Sequence, residues 1–218
     1  MLTIERILLL FSIISLIALT VYSLSPSRKF SGQEERYLTS GLVEIAQAIE
    51  LENPVRLTLS VYALATPLNI TLVLPHEKPM VFLVNRSRIV LDARFSQPKT
   101  VYGPDIASKF VTRRYVTVFL NYTEAIIDPK PMVRLVTCTA PLNLNCYGLL
   151  IRYLRVIQPL RKGLTLHPLN MTTSSLLRIY LRRVEIRVII DGEEAMTQTL
   201  EPPAVLYVSL IEELWICD

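Results

Sequence analysis

The chain has 218 residues, of which 51% are hydrophobic, and its 23 Lys and Arg against 19 Asp and Glu leave a net charge of +4. That length holds a membrane segment plus one domain able to bury its own core. The small excess of positive charge is spread along the chain rather than gathered into a basic arm, so nucleic acid is excluded as an implied partner.

Residues Ile7 to Leu24 form an unbroken run of 18 without a charge, Pro or Gly. As a helix rising 1.5 Å per residue the run reaches about 27 Å, close to the thickness of a hydrocarbon core. Residues 1–24 are therefore expected to be a hydrophobic membrane anchor, with 7–24 in contact with lipid. A cleavable signal peptide is the alternative, with Val21-Tyr22-Ser23 at the cleavage position, but the run is longer than the usual signal-peptide core of about 7–15 residues.

Residues 25–32 read as a linker in which Pro26 ends the first helix. Residues 33–53 predict an amphipathic helix, because Leu38, Leu42, Ile45 and Ile49 recur at helical spacing and Asn53-Pro54 stops it. From Pro54 onward the period changes to that of strands. Arg56–Val61 and Asn69–Leu74 alternate polar and apolar residues, with Thr66-Pro67 as the turn between them. Further strands are expected at Met80–Val84, Arg88–Asp92, Tyr115–Leu120, Val133–Cys138, Leu149–Ile157, Val184–Ile190, Met196–Leu200 and Val205–Leu210. Asp191-Gly192 is the clearest hairpin signal, since both residues accept positive φ. About ten short strands divided by turns predict a mainly β fold over residues 54–218, a sandwich or related two-layer domain.

Two features lead to the expectation that this domain faces the outside of the cell. Of seven Asn, four begin an N-x-[ST] triplet, namely Asn69, Asn85, Asn121 and Asn170, where about one would arise by chance. They are candidate glycosylation sites. Cys138 and Cys146 bracket a segment whose Pro and Asn suit a turn, so a disulfide across a hairpin tip is expected, and it would persist only in an oxidising compartment. Cys217 is left over, either as a buried thiol or as a competitor for that bridge.

No reaction is legible. His76 and His167 fall in different expected loops without metal or catalytic spacing, and no zinc-protease, nucleophile-elbow or phosphate-loop motif occurs. No cofactor is implied, and the chain is read as a non-enzyme. Asp92, Asp105 and Asp128 could serve as an acid and base pair only if the fold brought them together. Arg178, Arg182, Arg183 and Arg187 read as the solvent face of one element, with Glu185 among their counter-charges.

The opening Met1-Leu2-Thr3-Ile4-Glu5, the apolar run and the second helix to Leu51 together resemble the type IV pilin superfamily, in particular archaeal pilin-like surface proteins. The resemblance covers about the first quarter of the chain. It implies an immunoglobulin-like sandwich as head, a helix that serves first as anchor and then as filament core, and Glu5 as the assembly residue that neutralises the terminal amine of a neighbouring subunit. The expected partners are copies of the chain in a filament, or other surface or envelope proteins. The alternative is a monomeric anchored module that binds a glycan, envelope component or protein through its strand edges.

Overall fold

A computed structural model describes residues 32–75, 77–103, 116–139, 145–157, 160–181 and 185–218. The anchor expected at 1–24, with Glu5, and the linker to residue 31 lie outside the described residues. Among the described residues no helix is long and apolar enough to cross a membrane.

The helix forms where its spacing predicts it. Helix α1 (Gly32–Glu50) buries Leu42, Ile45 and Ile49 together with the small residues Gly41, Ala46 and Ala48. After it, Glu52 takes a positive φ of 57°, and Asn53-Pro54 turns the chain into strand β1 (Val55–Arg56).

The rest is mainly β. Strands β2 (Tyr62–Val73), β3 (Met80–Asp92), β4 (Lys99–Tyr102), β5 (Val116–Leu120), β6 (Glu124–Pro129), β10 (Glu185–Ile190) and β11 (Glu193–Thr199) make one sheet, in the order β11-β10-β2-β3-β6-β5-β4. Strands β7 (Met132–Cys138), β8 (Asn145–Val156), β9 (Thr165–Leu181) and β12 (Ala204–Cys217) join β1 in a second sheet, in the order β1-β9-β12-β8-β7. Neighbours run antiparallel except β8 and β12, which are parallel over Asn145–Val156 and Ala204–Trp215.

Two hydrophobic cores lie within this framework. In one, α1 packs with Leu57, Leu59, Ile89, Val118, Ile127 and Trp215. The other lies between the sheets and contains Leu68, Ile70, Leu149, Ile151, Val188, Leu206 and Val208. Long strands contribute to both, and each changes its buried face on the way. Strand β3 gives Phe82 and Val84 to the inter-sheet core and Ile89 and Leu91 to the helix core. Strand β8 gives Leu149, Ile151 and Tyr153 to the first and Leu154 and Val156 to the second, and β12 gives Leu206, Val208 and Leu210, then Trp215 and Cys217. Side chains alternate with period two, so a switch from even to odd positions exposes the opposite face to the core. In β12 the switch coincides with register shifts against β9 at Leu210/Ile211 and Leu214/Trp215, where β9 carries the extra residues Ser174 and Leu169 and the local twist increases, while β12 stays in unbroken register with β8. The β2–β3 ladder keeps its register from Tyr62↔Val90 to Leu72↔Met80, so there the curl of the sheet makes the change. Arg86 and Ser87, consecutive and both buried, mark that waist. Ser87 Oγ accepts a hydrogen bond from the Val156 amide at 2.9 Å, tying β3 to β8.

Several strand boundaries differ from expectation. Thr66-Pro67 is no turn, because β2 runs straight through it. Proline lacks an N–H, and β10 pairs with β2 only at Ile70–Val73, so Pro67 sits where the strand's second side asks for no ladder bond among the described residues. The segments Met80–Val84 and Arg88–Asp92 are one strand, broken in pattern only by the change of face. Beyond Arg56, residues 57–61 leave the sheet although Leu57, Leu59 and Val61 stay buried. Leu57 bonds instead with the loop before β9, its amide to the Leu164 carbonyl at 2.8 Å and its carbonyl to the Gly163 amide at 2.8 Å.

Candidate functional site

Cys138 and Cys146 face each other in the last register pair of β7 and β8, and they form a disulfide with Cα atoms 4.9 Å apart. Cys217 is a buried free thiol. The bridge closes a short loop, so by chain entropy it stabilises by about 2–3 kcal/mol. Treatment with reductant is expected to lower the thermal midpoint by about 5–10 °C, and a Cys138→Ser/Cys146→Ser variant is expected to show the same midpoint with or without reductant in a calorimetric scan.

The four sequons fall on the β domain. Asn69 in β2 and Asn85 in β3 are exposed, and so is Asn170 in β9. Asn121 is half-buried in the β5–β6 turn, where its amide donates to the Glu124 carbonyl at 2.7 Å and its side-chain oxygen accepts from the Tyr122 amide at 2.8 Å. Asn69 and Asn85 come together on one outer face. Asn69 is opposite Leu83, Asn85 is opposite Pro67 and Thr71 is opposite Val81. This face is apolar as well as exposed, with Leu83 at 72% and Val81 at 57% relative exposure.

Directly inward of Asn85 lies an ion cluster that sequence reasoning does not find. The Arg86 guanidinium, its side chain 4% exposed, meets Asp128 Oδ1 at 2.7 Å, and Arg88 and Lys130 reach the same carboxylate at 3.1 and 2.7 Å. Arg86 also donates to the Pro129 carbonyl at 3.1 Å and lies 3.8 Å from Asp191 in the β10–β11 turn. Burial acts most strongly on Asp128 and pushes its pKa up, but the three cations outweigh it and hold the carboxyl below its ordinary value. Burial lowers the pKa of Arg86 against the pull of Asp128, yet an arginine starts high enough to stay charged. The cluster pins β3 to β6 and to the β10–β11 turn, and so fixes the strip that carries Asn85.

A second set of contacts fastens both ends of α1 to β4. Glu35 accepts from Lys99 at 2.9 Å and from the Ser96 hydroxyl and amide, each at 3.2 Å. These hydrogen bonds, that from Lys99 first, lower its pKa. Tyr102 donates to Glu50, and burial followed by that bond pushes its pKa up to about 12. The chain that leads into α1 therefore enters a helix held rigidly against the β domain.

The other residues considered from sequence do not converge. Asp92 accepts a hydrogen bond from Tyr62 at 3.1 Å and pairs with Glu124 at one end of the β3–β6 ladder, whereas Asp128 lies past its other end in the ion cluster. Asp105 and His76 are outside the described residues, as are Arg182 and Arg183. His167 sits 3.2 Å from an Asp218 oxygen. Arg178 lies over the Tyr207 ring at 5.6 Å, and Arg187 approaches Glu185 at 3.6 Å, the counter-charge expected of a solvent face. Among the described residues no three His, Cys, Asp or Glu side chains are grouped to hold a metal ion.

No family model matches the chain, and no curated protein or solved structure matches it either.

Proposed function

We propose that the chain is a membrane-anchored, non-enzymatic protein whose β domain faces the outside of the cell as the head of a pilin-like filament subunit or accessory. The disulfide between Cys138 and Cys146 carries this reading, because such a bridge persists in an oxidising compartment. Three further observations support it. Four sequons lie on the domain, three of them exposed. The two-sheet arrangement suits a sandwich head of the immunoglobulin-like kind that the pilin resemblance implies. The clasped helix α1 would pass force or orientation from an apolar stem at 7–24 directly to that head. In this reading Glu5 neutralises the terminal amine of the next subunit.

The test is to express the full chain, treat intact cells with protease and map the peptides without reduction. Cleavage within residues 54–218 on intact cells, with Cys138 and Cys146 recovered as one linked peptide pair, is the expected result. A domain cleaved only after lysis, with three free thiols, sinks it. Filament assembly is tested separately by Glu5→Gln, which is expected to leave the protein in the membrane and abolish filaments seen by electron microscopy.

The second reading is an anchored monomer that adds a partner's strand to its sheet. It draws on β11, which ends the seven-stranded sheet and exposes most of its residues, as an edge open to strand addition must. Filaments absent from wild-type cells, with the domain still outside, would favour it.

A further inference from the structure

We infer that N-linked glycans on Asn69 and Asn85 cover an apolar open edge formed by Met80–Val84, and that this shield keeps the domain from pairing edge to edge. The inference rests on the outward-facing reading above. Strand β3 pairs with β6 only at Ile89–Asp92, so over Met80–Asn85 its one hydrogen-bonded neighbour among the described residues is β2. Among the described residues nothing pairs with the second side of that stretch, which presents a row of backbone donors and acceptors. Its sequence, Met80-Val81-Phe82-Leu83-Val84, has no charge, Pro or Gly and is rich in strand-forming residues, which is the composition that pairs with other chains. Proteins ordinarily blunt such an edge with Lys, Pro, a bulge or a covering element. The stretch holds neither Lys nor Pro, its ladder with β2 has no bulge, and no covering strand pairs with it among the described residues.

The two sequons occupy the place of such a device. Directly opposed residues on an antiparallel pair have Cβ atoms about 5 Å apart, and residues two apart on one strand are about 7 Å apart. Asn69 opposite Leu83, and Asn85 two residues beyond Leu83, therefore stand on two sides of the most exposed large apolar side chain on the face. Glycans rooted there would lie over Leu83 and Val81 and block the approach of a second strand by bulk and hydration. Both Asn side chains are exposed, and it is the backbone of Asn69, through its amide and carbonyl, that holds Asp191.

The modification joins the Asn side-chain nitrogen to the anomeric carbon of an oligosaccharide carried on a lipid phosphate. The new N–C bond forms as the bond from that carbon to the phosphate oxygen breaks. The amide proton leaves to a base of the transferase, and the lipid phosphate departs. Sequon recognition needs the hydroxyl two residues on, and for Asn85 this is Ser87, 4% exposed and bonded to the Val156 amide. Asn85 is thus modified before β3 packs on β8.

The test is glycopeptide mapping of the full chain from its own membranes, followed by size-exclusion chromatography in mild detergent of wild type, Asn69→Gln/Asn85→Gln, and the same double variant carrying Val81→Thr/Leu83→Thr. The expected result is glycan on both Asn69 and Asn85, loss of the monomer peak in the double variant and its return in the quadruple variant, with Asn170→Gln as a monomeric control. Bare Asn69 and Asn85 beside an occupied Asn121 or Asn170 overturns the shield while leaving the outward reading intact. Four bare sequons on a domain that intact cells still expose to protease overturn the shield alone, and four on a protease-protected domain overturn both. Occupied sites with a double variant that stays monomeric overturn the protective role. A bare wild type that forms dimers dissolved by Val81→Thr/Leu83→Thr assigns the edge to a second copy of the chain instead.

Discussion

Asp128→Asn is expected to cost about 3 kcal/mol and to lower the thermal midpoint by about 10 °C. The amide keeps the shape of the side chain but removes the charge that Arg86, Arg88 and Lys130 share. Arg88 and Lys130 side chains are about a third exposed, at 34% and 29%, and can turn to water. Arg86 cannot, and an unpaired buried guanidinium is the source of the loss. The loss stays at the low end of the range for broken buried pairs because the Pro129 carbonyl and Asp191 remain near Arg86.

The pH dependence follows from the direction of the Asp128 shift. Its folded pKa is depressed, so its contribution is complete above the unfolded value near 4 and disappears as pH falls through the lower folded value. Denaturant titrations of wild type and Asp128→Asn are therefore expected to differ fully at pH 6 and to converge as the pH is brought below about 4. A constant gap down to the lowest pH would show that the loss comes from packing and not from charge. In Arg86→Met/Asp128→Leu, where no buried charge is stranded, much of the stability is expected to return.

Leu206→Ala is expected to cost about 2–5 kcal/mol, and the loss is expected to register in the core to which Leu206 does not belong. Leu206 is fully buried between the sheets, whereas Trp215, the single tryptophan of the chain, is in the helix core. Both are on β12, and β2, β3 and β8 also run through the two cores. One core cannot lose its strands without releasing those of the other, so unfolding should be a single transition. Tryptophan fluorescence during denaturant unfolding should shift with the Leu206 variant by the same amount as far-ultraviolet circular dichroism. A fluorescence midpoint that stays at the wild-type value would mean that the cores unfold independently.

Local chemistry made some of this fold legible in the sequence. The spacing of Leu42, Ile45 and Ile49 placed α1, although the helix stops at Glu50, ahead of the expected stop at Asn53-Pro54, because the chain already turns at Glu52. Asp191-Gly192 marked a hairpin because both residues take positive φ, 50° and 85°. Cys138 and Cys146 were paired from their separation and the turn-forming residues between them. The failures occur where tertiary context overrides a local sign. The alternation stops at the waist, since the buried face changes there, so β3 reads as two strands and the first half of β2, with Thr66-Pro67 in it, reads as a turn. Strand β9 was not expected at all, because Thr172-Thr173-Ser174-Ser175 in its middle offers no apolar period. The ion cluster could not be read either, as Arg86 and Asp128 are 42 residues apart and only the β3–β6 pairing joins them. The sequons themselves were plain. What the sequence could not disclose was that the hairpin register sets Asn69 against Leu83 and puts Asn85 beside it.

The position of β12 bears on when this domain can fold. It is the last strand in chain order, yet it sits inside its sheet with β9 on one side and the parallel β8 on the other. A chain emerging from its N-terminal end can assemble the β2–β3 hairpin early, but the second sheet has a gap at its centre until residues 204–217 arrive. Pairings so distant along the chain are slow to form. Completion of the second sheet thus waits for the last residues of the chain, and closure comes in one late step when β12 slots between β8 and β9.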